Sequence, residues 1–346
     1  MVSADVYSVV RCPACAGPLE PGGRSVRCAS CGQTFDLSRG YLDLRPAKTF
    51  TEQTKYLDEA LHADARHASI APPVLGSKIR QDMLQRFLAL GPTDRAIDLG
   101  CGSGRALAWN ADSGATAIGI DVSPHFAVEA IARHDLLLGD LRRLPIRDGA
   151  FSKAWSLDVV EHVSPEALEQ VLAEASRVLA PGGAFFIYSH VRKNSWIAGG
   201  VRLVNRLAAA LERIGLLDLR QEKLRKSDHL NPLADHNDLA AFARRAGFTV
   251  ERVTYYTPVI GAFVENILVR MGERSLAARA ARRGGAAGAG APEALKAARA
   301  SGQAAVRRRG LTYGVLIALT ALMKLDIVLF GRVRSGPFFA LLRKAG

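Results

Sequence analysis

The sequence predicts an α/β protein, a mostly parallel sheet with helices on both faces. A small four-cysteine module precedes the sheet and a helical insertion interrupts it near the C-terminus. Three features carry that expectation. Between Arg95 and Thr257, short apolar runs ending in glycine or an acid alternate with amphipathic stretches, the pattern of βαβ units. Four of the five cysteines fall within twenty residues. Thirteen uncharged residues, Leu311–Met323, stand between basic segments close to the end.

Composition narrows the class. With 49% hydrophobic and 23% charged residues, the chain of 346 is not disordered, and its length suits one large domain plus a small one. The opening Met1-Val2-Ser3-Ala4-Asp5 has neither the basic nor the apolar region of a secretory leader, so a cytoplasmic protein without disulfides is expected. No run of eighteen uncharged apolar residues occurs, which excludes an ordinary polytopic membrane protein. The net charge of +13 is concentrated in Arg192–Lys226, net +6, and Arg270–Arg309, net +8. Such clusters attract nucleic acid or anionic lipid, or serve solubility alone.

The cysteines form two pairs, Cys12-Pro-Ala-Cys15 and Cys28-Ala-Ser-Cys31. Each pair has knuckle spacing, in which two thiolates on one tight turn reach one metal. Two knuckles make a closed tetrahedron of four thiolates, so Cys12, Cys15, Cys28 and Cys31 are expected to hold a structural zinc. Pro21-Gly22-Gly23 turns the hairpin between them. A redox Cys-x-x-Cys needs a following helix in a thioredoxin-like setting, which neither pair has. This module, 1–46, is expected to fold around a core of its own. A helical connector, 47–92, follows, broken at Pro72-Pro73, with Met83, Leu84, Phe87, Leu88 and Leu90 at helical spacing.

The core proper, 93–257, begins with Ala96, Ile97 and Leu99 as a buried strand. It runs into Asp98-Leu99-Gly100-Cys101-Gly102-Ser103-Gly104, a turn into a helix whose glycines let the backbone approach a ligand. An acid before the first glycine faces a cationic amino group better than a diphosphate. Strand Ala115–Ile120 ends in Asp121, suited to a ribose diol, and Ser123-Pro124 is expected to start the next helix as cap and first-turn proline. Strand Leu136–Leu138 leads to Gly139-Asp140-Leu141, where Asp140 can accept from an adenine amino group. Asp148–Phe151 turns into a fourth strand through Trp155, and Ala184–Tyr188 is the fifth. Thr249–Thr257 is the sixth, and Pro337–Arg343 fits a last strand by pattern, leaving 258–336 as the insertion and 337–346 as the final strand of the core.

In this combination the chain resembles class I S-adenosylmethionine-dependent methyltransferases of type 11. The carriers are Asp98–Gly104, Asp121, Gly139-Asp140 with Leu144-Pro145, Leu157–Val163 and Ser176–Gly183, over about residues 80–260. Arg11–Leu44 in turn resembles the zinc ribbons placed before some bacterial members. The resemblance implies a Rossmann-like seven-stranded sheet whose last strand, here Pro337–Arg343, runs antiparallel, and S-adenosyl-L-methionine as cofactor. Asp98, Gly100, Gly102 and Gly104 would hold the methionine part, Asp121 the ribose, Asp140 and Leu141 the adenine side, with Asp158 at the same pocket.

The methyl acceptor belongs beyond the carboxyl ends of the fourth and fifth strands. Asp158, Glu161 and His162 follow one, and Ser189, His190, Arg192 and Lys193 the other. A base is required only if the acceptor loses a proton, and His162 and His190 are the candidates, His162 ahead and more readily read as pocket-lining. His229 and His236 are weaker. In the insertion, Arg282–Gly290 is rich in alanine, glycine and arginine. Leu311–Phe330, preceded by Arg307–Arg309, is too short and too interrupted by Lys324 and Asp326 to span. It reads as an interfacial helix, a lid, or a helix packed on the sheet. The expected activity is methyl transfer to an apolar or amphiphilic, lipid-like small molecule, with peripheral contact to the inner face of the membrane through 311–330. Methylation of a ribosomal RNA base, with the zinc ribbon as recognition module, is the second class, and a non-catalytic cofactor-binding partner the third.

Overall fold

The computed structural model describes residues 2–45, 70–193, 195–219, 230, 232–275 and 310–346. His229, Arg282–Gly290, Arg307–Arg309 and the connector before residue 70 lie outside the described residues. The elements run α1 Ala4–Val9, β1 Leu19–Gly22, β2 Ser25–Cys28, β3 Thr34–Asp36, β4 Leu42–Asp43, α2 Leu75–Leu88, β5 Arg95–Leu99, α3 Arg105–Asn110 and β6 Thr116–Asp121. They continue with α4 Val128–Arg133, β7 Asp135–Leu138, β8 Phe151–Leu157, α5 Pro165–Val178, β9 Leu179–His190, α6 Ala198–Arg213, α7 His236–Arg245 and β10 Phe248–Tyr255. Last come α8 Val259–Phe263, α9 Leu311–Met323, α10 Leu325–Phe330 and β11 Pro337–Lys344.

The main sheet has the order β10-β11-β9-β8-β5-β6-β7-β4. Strands β4 to β9 run parallel, and β11 lies antiparallel between β9 and β10. Helix α2 covers one face of the sheet with Ile79, Met83, Leu84, Phe87 and Leu88, while α5 and α7 cover the other. The strands alternate their buried residues between two hydrophobic clusters, one per face, as pleating requires.

Eight strands stand where seven were expected, and the extra one comes from the cysteine module. Leu42 pairs with Leu137 and Asp43 with Leu138, and the Leu44 N–H donates to Leu138 O at 2.9 Å. The Asp135 carboxylate accepts from both the N–H (2.7 Å) and the hydroxyl (2.6 Å) of Ser3, and Val10 bridges to Ile146. Val6, Val26, Phe35 and Leu42 belong to one hydrophobic cluster with Leu137, Leu144 and Ile146. The expectation of separate cores therefore fails. A ribbon whose strands are three or four residues long buries too little apolar surface to stand alone, so it borrows the edge of the large sheet.

Ser123-Pro124 does not open a helix. The Ser123 N–H donates to the Asp121 carboxylate instead, and α4 starts only at Val128. With that bond made, the chain bends at Val122-Ser123 and becomes helical only at Val128.

The insertion returns to the body through its polar residues. Leu311–Phe330 has the length and hydropathy of a membrane span, yet the residues that interrupt it are anchors. Asp326, with no exposed surface, accepts from the N–H groups of Ile260 (3.0 Å) and Gly261 (2.8 Å) and so caps the start of α8. Thr320 Oγ1 accepts from the Leu75 N–H at 2.8 Å, at the start of α2, and Lys324 pairs with Asp82. The opposite side is open: Leu311 is 86% exposed, Val328 77% and Leu329 60%. The segment is a helix pair fastened along one side.

Candidate active site

Asp98 closes β5 at the carboxyl edge of the sheet, 2% exposed, and its Oδ2 has no partner. Burial pushes its pKa up to about 8, with the Trp155 indole opposing and the nearby Asp121 charge adding. A carboxylate so placed lacks a cation. The loop after it turns on three glycines, Gly100, Gly102 and Gly104, with φ of +82°, +53° and +81°. A Cβ at Gly100 would lie 2.4 Å from Val159 and one at Gly104 2.7 Å from Ala130, whereas at Gly102 it would meet nothing. Two of the glycines are required by packing, and the third leaves bare backbone facing open space. The orphan carboxylate oxygen beside that backbone fits the α-amino group of S-adenosylmethionine.

Asp121 ends β6. Its Oδ2 accepts from the Gly102 N–H at 2.7 Å and its Oδ1 from the Ser123 N–H at 2.8 Å, which fixes the carboxylate beside the glycine loop. Burial raises its pKa, and the amides oppose. Asp140, beyond β7, is clasped by Arg142 through Nε at 3.0 Å and Nη2 at 2.7 Å. An adenine amino group would therefore share that carboxylate with an arginine, a partner the sequence reading did not foresee. Leu141 packs half-buried against the core cluster beside it.

Beyond the carboxyl ends of β8 and β9, where the sequence places the acceptor, residues from six places in the chain come together. Asp158 follows β8 with φ +57°, a left-handed conformation costly for a residue with a Cβ, and contacts Arg80 Nε at 3.4 Å. Arg80 comes from α2 and lies over the Tyr188 ring at 5.4 Å. Its pKa is raised although burial opposes, through Asp158, Tyr188 and Glu265. Glu265, on a π-helical turn (Val264–Val269) that continues α8, accepts from the Gly76 N–H at 3.0 Å. Tyr188 stacks on Phe339 of β11 at 4.8 Å, and Tyr256 reaches the same ring at 5.9 Å.

His190, at the end of β9, has its Nδ1 3.4 Å from the carboxylate of Glu161. Glu161 is 1% exposed and also accepts from the Ser189 hydroxyl at 2.8 Å. Burial would raise the Glu161 pKa, but the hydrogen bond and charge of His190 bring it below the usual carboxylate range. A buried ionised carboxylate behind an imidazole is how a proton acceptor is oriented. His162 sits half-buried on the 3-10 turn Val160–His162. His236 is structural: its Nε2 contacts Ser335 O at 2.8 Å, and its ring packs edge-on to Tyr255 and Phe338.

Sequence reasoning missed Arg80 and gave Glu161 no role. A signal for Arg80 exists: it occupies the stripe of Gly76, Met83 and Phe87, where a charge interrupts a core-facing helix side. For Glu161 the signal is weaker, a charged residue beside buried Val160.

The four cysteine sulfurs lie within 4.8 Å of one another, with Cys12–Cys31 at 3.7 Å and Cys15–Cys28 at 3.5 Å. A tetrahedron with Zn–S of about 2.3 Å places its sulfurs about 3.8 Å apart, so the set fits a structural zinc. The Cys31 amide lowers the Cys28 thiol to about 6, giving the cluster a first thiolate. Cys101 is a buried small residue against Gly119, and burial raises its pKa far above the usual thiol value.

Residues 97–187 match the model of the methyltransferase domain family. An uncharacterized methyltransferase of Synechocystis is 31% identical over 113 residues, 32% of this chain and 53% of that one. The 23S rRNA (guanine(748)-N(1))-methyltransferase of Streptomyces fradiae is 29% identical over 230 residues, 63% of this chain and 72% of that one. A sterol 4-C-methyltransferase of Caenorhabditis elegans is 29% identical over 142 residues, 37% of this chain and 42% of that one. The chain spans about half the length of the first of these relatives.

Proposed function

We propose that this S-adenosylmethionine-dependent methyltransferase, which carries the family's domain over residues 97–187, methylates an apolar or amphiphilic acceptor delivered from a lipid surface. One observation carries the reading. Helix α2 brings Arg80 to the acceptor end and, through Leu75 and Asp82, holds the apolar helix pair α9–α10. The greasy surface and the reacting end are thus fastened to the same helix.

The cofactor supplies an electrophilic methyl group on a sulfonium. Asp98 and the loop Gly100–Gly104 would hold its methionine part, Asp121 its ribose, and Asp140 with Leu141 its adenine side. Arg80 and Asp158 neutralise each other at the floor of the acceptor end, with the guanidinium over the Tyr188 ring. Glu161, 3.4 Å from His190 Nδ1, orients the imidazole as the group that takes a proton from an O–H or N–H acceptor. His162 lines the pocket. The zinc ribbon has a structural role at the sheet edge.

A second reading, methylation of ribosomal RNA, draws support from the length of the alignment to the Streptomyces fradiae relative and from the charge of +13. Incubating the enzyme and labelled cofactor with total lipid and with ribosomal RNA from the same cells separates the two. Label in the organic phase alone supports the lipid-like acceptor; label in RNA alone overturns it.

A further inference from the structure

We propose that α6, Ala198–Arg213, is a docking element for an anionic lipid surface, so that the enzyme meets the membrane through two apolar elements. The inference rests on the reading of a lipid-delivered acceptor for its purpose, but on separate residues for its evidence.

Helix α6 buries one side and leaves two adjoining rows exposed. Val204, Ala208 and Leu211 turn inward, against Leu217 and Ile267. Leu203 (69% exposed), Leu207 and Ile214 (70%) form an outward row at helical spacing. Each of Arg202, Arg206 and Arg213 is exposed and stands one residue before a member of that row, so a basic row runs beside the apolar one. Among the described residues none of the three arginines pairs with a carboxylate, and Glu212 lies on the side of the helix away from the apolar row. Trp196, 81% exposed, stands just before the helix.

A solvated helix does not need three large aliphatic side chains outward, and an RNA-binding helix does not need them beside its arginines. An anionic bilayer surface uses both rows at once. The leucines enter the acyl boundary, the arginines meet phosphates at its rim, and a tryptophan sits at headgroup level. Helix α6 and the α9–α10 pair both pack on α8. Exposed Phe263, Leu268 and Met271 lie on and after α8.

The test is flotation of the full chain with vesicles of phosphatidylcholine alone and of phosphatidylcholine with phosphatidylglycerol, at low and high salt. The variants are R202Q/R206Q/R213Q and, separately, L203S/I214S, with cofactor affinity and melting temperature measured for each. The wild type is expected to bind the anionic vesicles more tightly than the neutral ones. At about fivefold per arginine, the triple variant should lose roughly a hundredfold on anionic vesicles and most of its salt dependence. L203S/I214S should weaken binding to both kinds of vesicle. Single L203Q replaces it if it melts early. Equal binding of wild type and triple variant to anionic vesicles overturns the proposal. So does a triple variant that loses ribosomal RNA affinity while still floating. Charge-dependent flotation by an enzyme that methylates only a soluble acceptor supports the docking element and removes the acceptor reading. Lipid methylation by an enzyme that floats equally with and without the arginines does the reverse.

Discussion

Replacing Asp98 by asparagine tests the cofactor pocket without needing an acceptor. The carboxyl is 2% exposed, and burial raises its pKa from 3.8 to about 8. Between those two values the unfolded chain has released the proton and the folded chain keeps it, so stability falls as pH rises. The slope is about 1.4 kcal/mol per pH unit, and the whole shift of about four units amounts to the order of 5 kcal/mol. Asparagine has the shape and no proton to lose. From about pH 5.5 to about pH 8 the wild type should therefore lose roughly 3 kcal/mol relative to Asp98→Asn, read by urea denaturation of both proteins across that range. Binding supplies a second readout. A cationic amino group beside Asp98 favours its ionised form, so cofactor binding near pH 7 should release a proton, visible as a heat that changes with the ionisation enthalpy of the buffer. Asp98→Asn should abolish that dependence and weaken binding roughly ten- to hundredfold, the loss of one charge-assisted hydrogen bond. Parallel stability profiles for the two proteins, together with a buffer-independent heat in the wild type, would refute the assignment.

Metal analysis should find about one zinc per chain for the single four-cysteine site, and stripping it should lower the melting temperature of the whole protein in one transition, because ribbon and sheet share a core. Leu42→Ala, at the shared edge, should cost about 2–5 kcal/mol in the same single transition; two separated transitions would contradict the shared core. Asp121→Ala should weaken cofactor binding far more than His162→Ala, by calorimetry. Glu161→Gln should lower kcat and move the pH profile of turnover while leaving cofactor affinity intact; an unchanged profile removes His190 as the oriented base. Asp326→Ala leaves the Ile260 and Gly261 N–H groups without their acceptor and should cost about 1–3 kcal/mol, with looser α9–α10 seen by hydrogen exchange.

Much of the core was legible in the chain, because it rests on local chemistry. Glycines at Gly100 and Gly104, the acids Asp98, Asp121 and Asp140 at or just beyond the carboxyl ends of strands, and paired cysteines each state their role within a few residues. The antiparallel last strand, expected at Pro337–Arg343 from the family resemblance, is present as Pro337–Lys344, while the order of the strands came from the tertiary structure. What escaped depends on partners far apart in sequence. Ser123 has the form of a helix cap, and nothing near it says that the Asp121 carboxylate will take its N–H. Leu42-Asp43 is only two residues long and becomes a strand because Leu137-Leu138 offers an open edge. Arg80 joins the acceptor end, and Glu161 stands behind His190, only once the helix and strands carrying them are packed. The polar residues of Leu311–Phe330 looked like interruptions in a hydrophobic run, and tertiary structure made them its attachments, Thr320 to Leu75, Lys324 to Asp82 and Asp326 to α8. Sequence determines what a residue can bond to within its own turn or strand. Which distant donor it meets is decided by packing, since a buried polar group must find a partner and the fold alone supplies one.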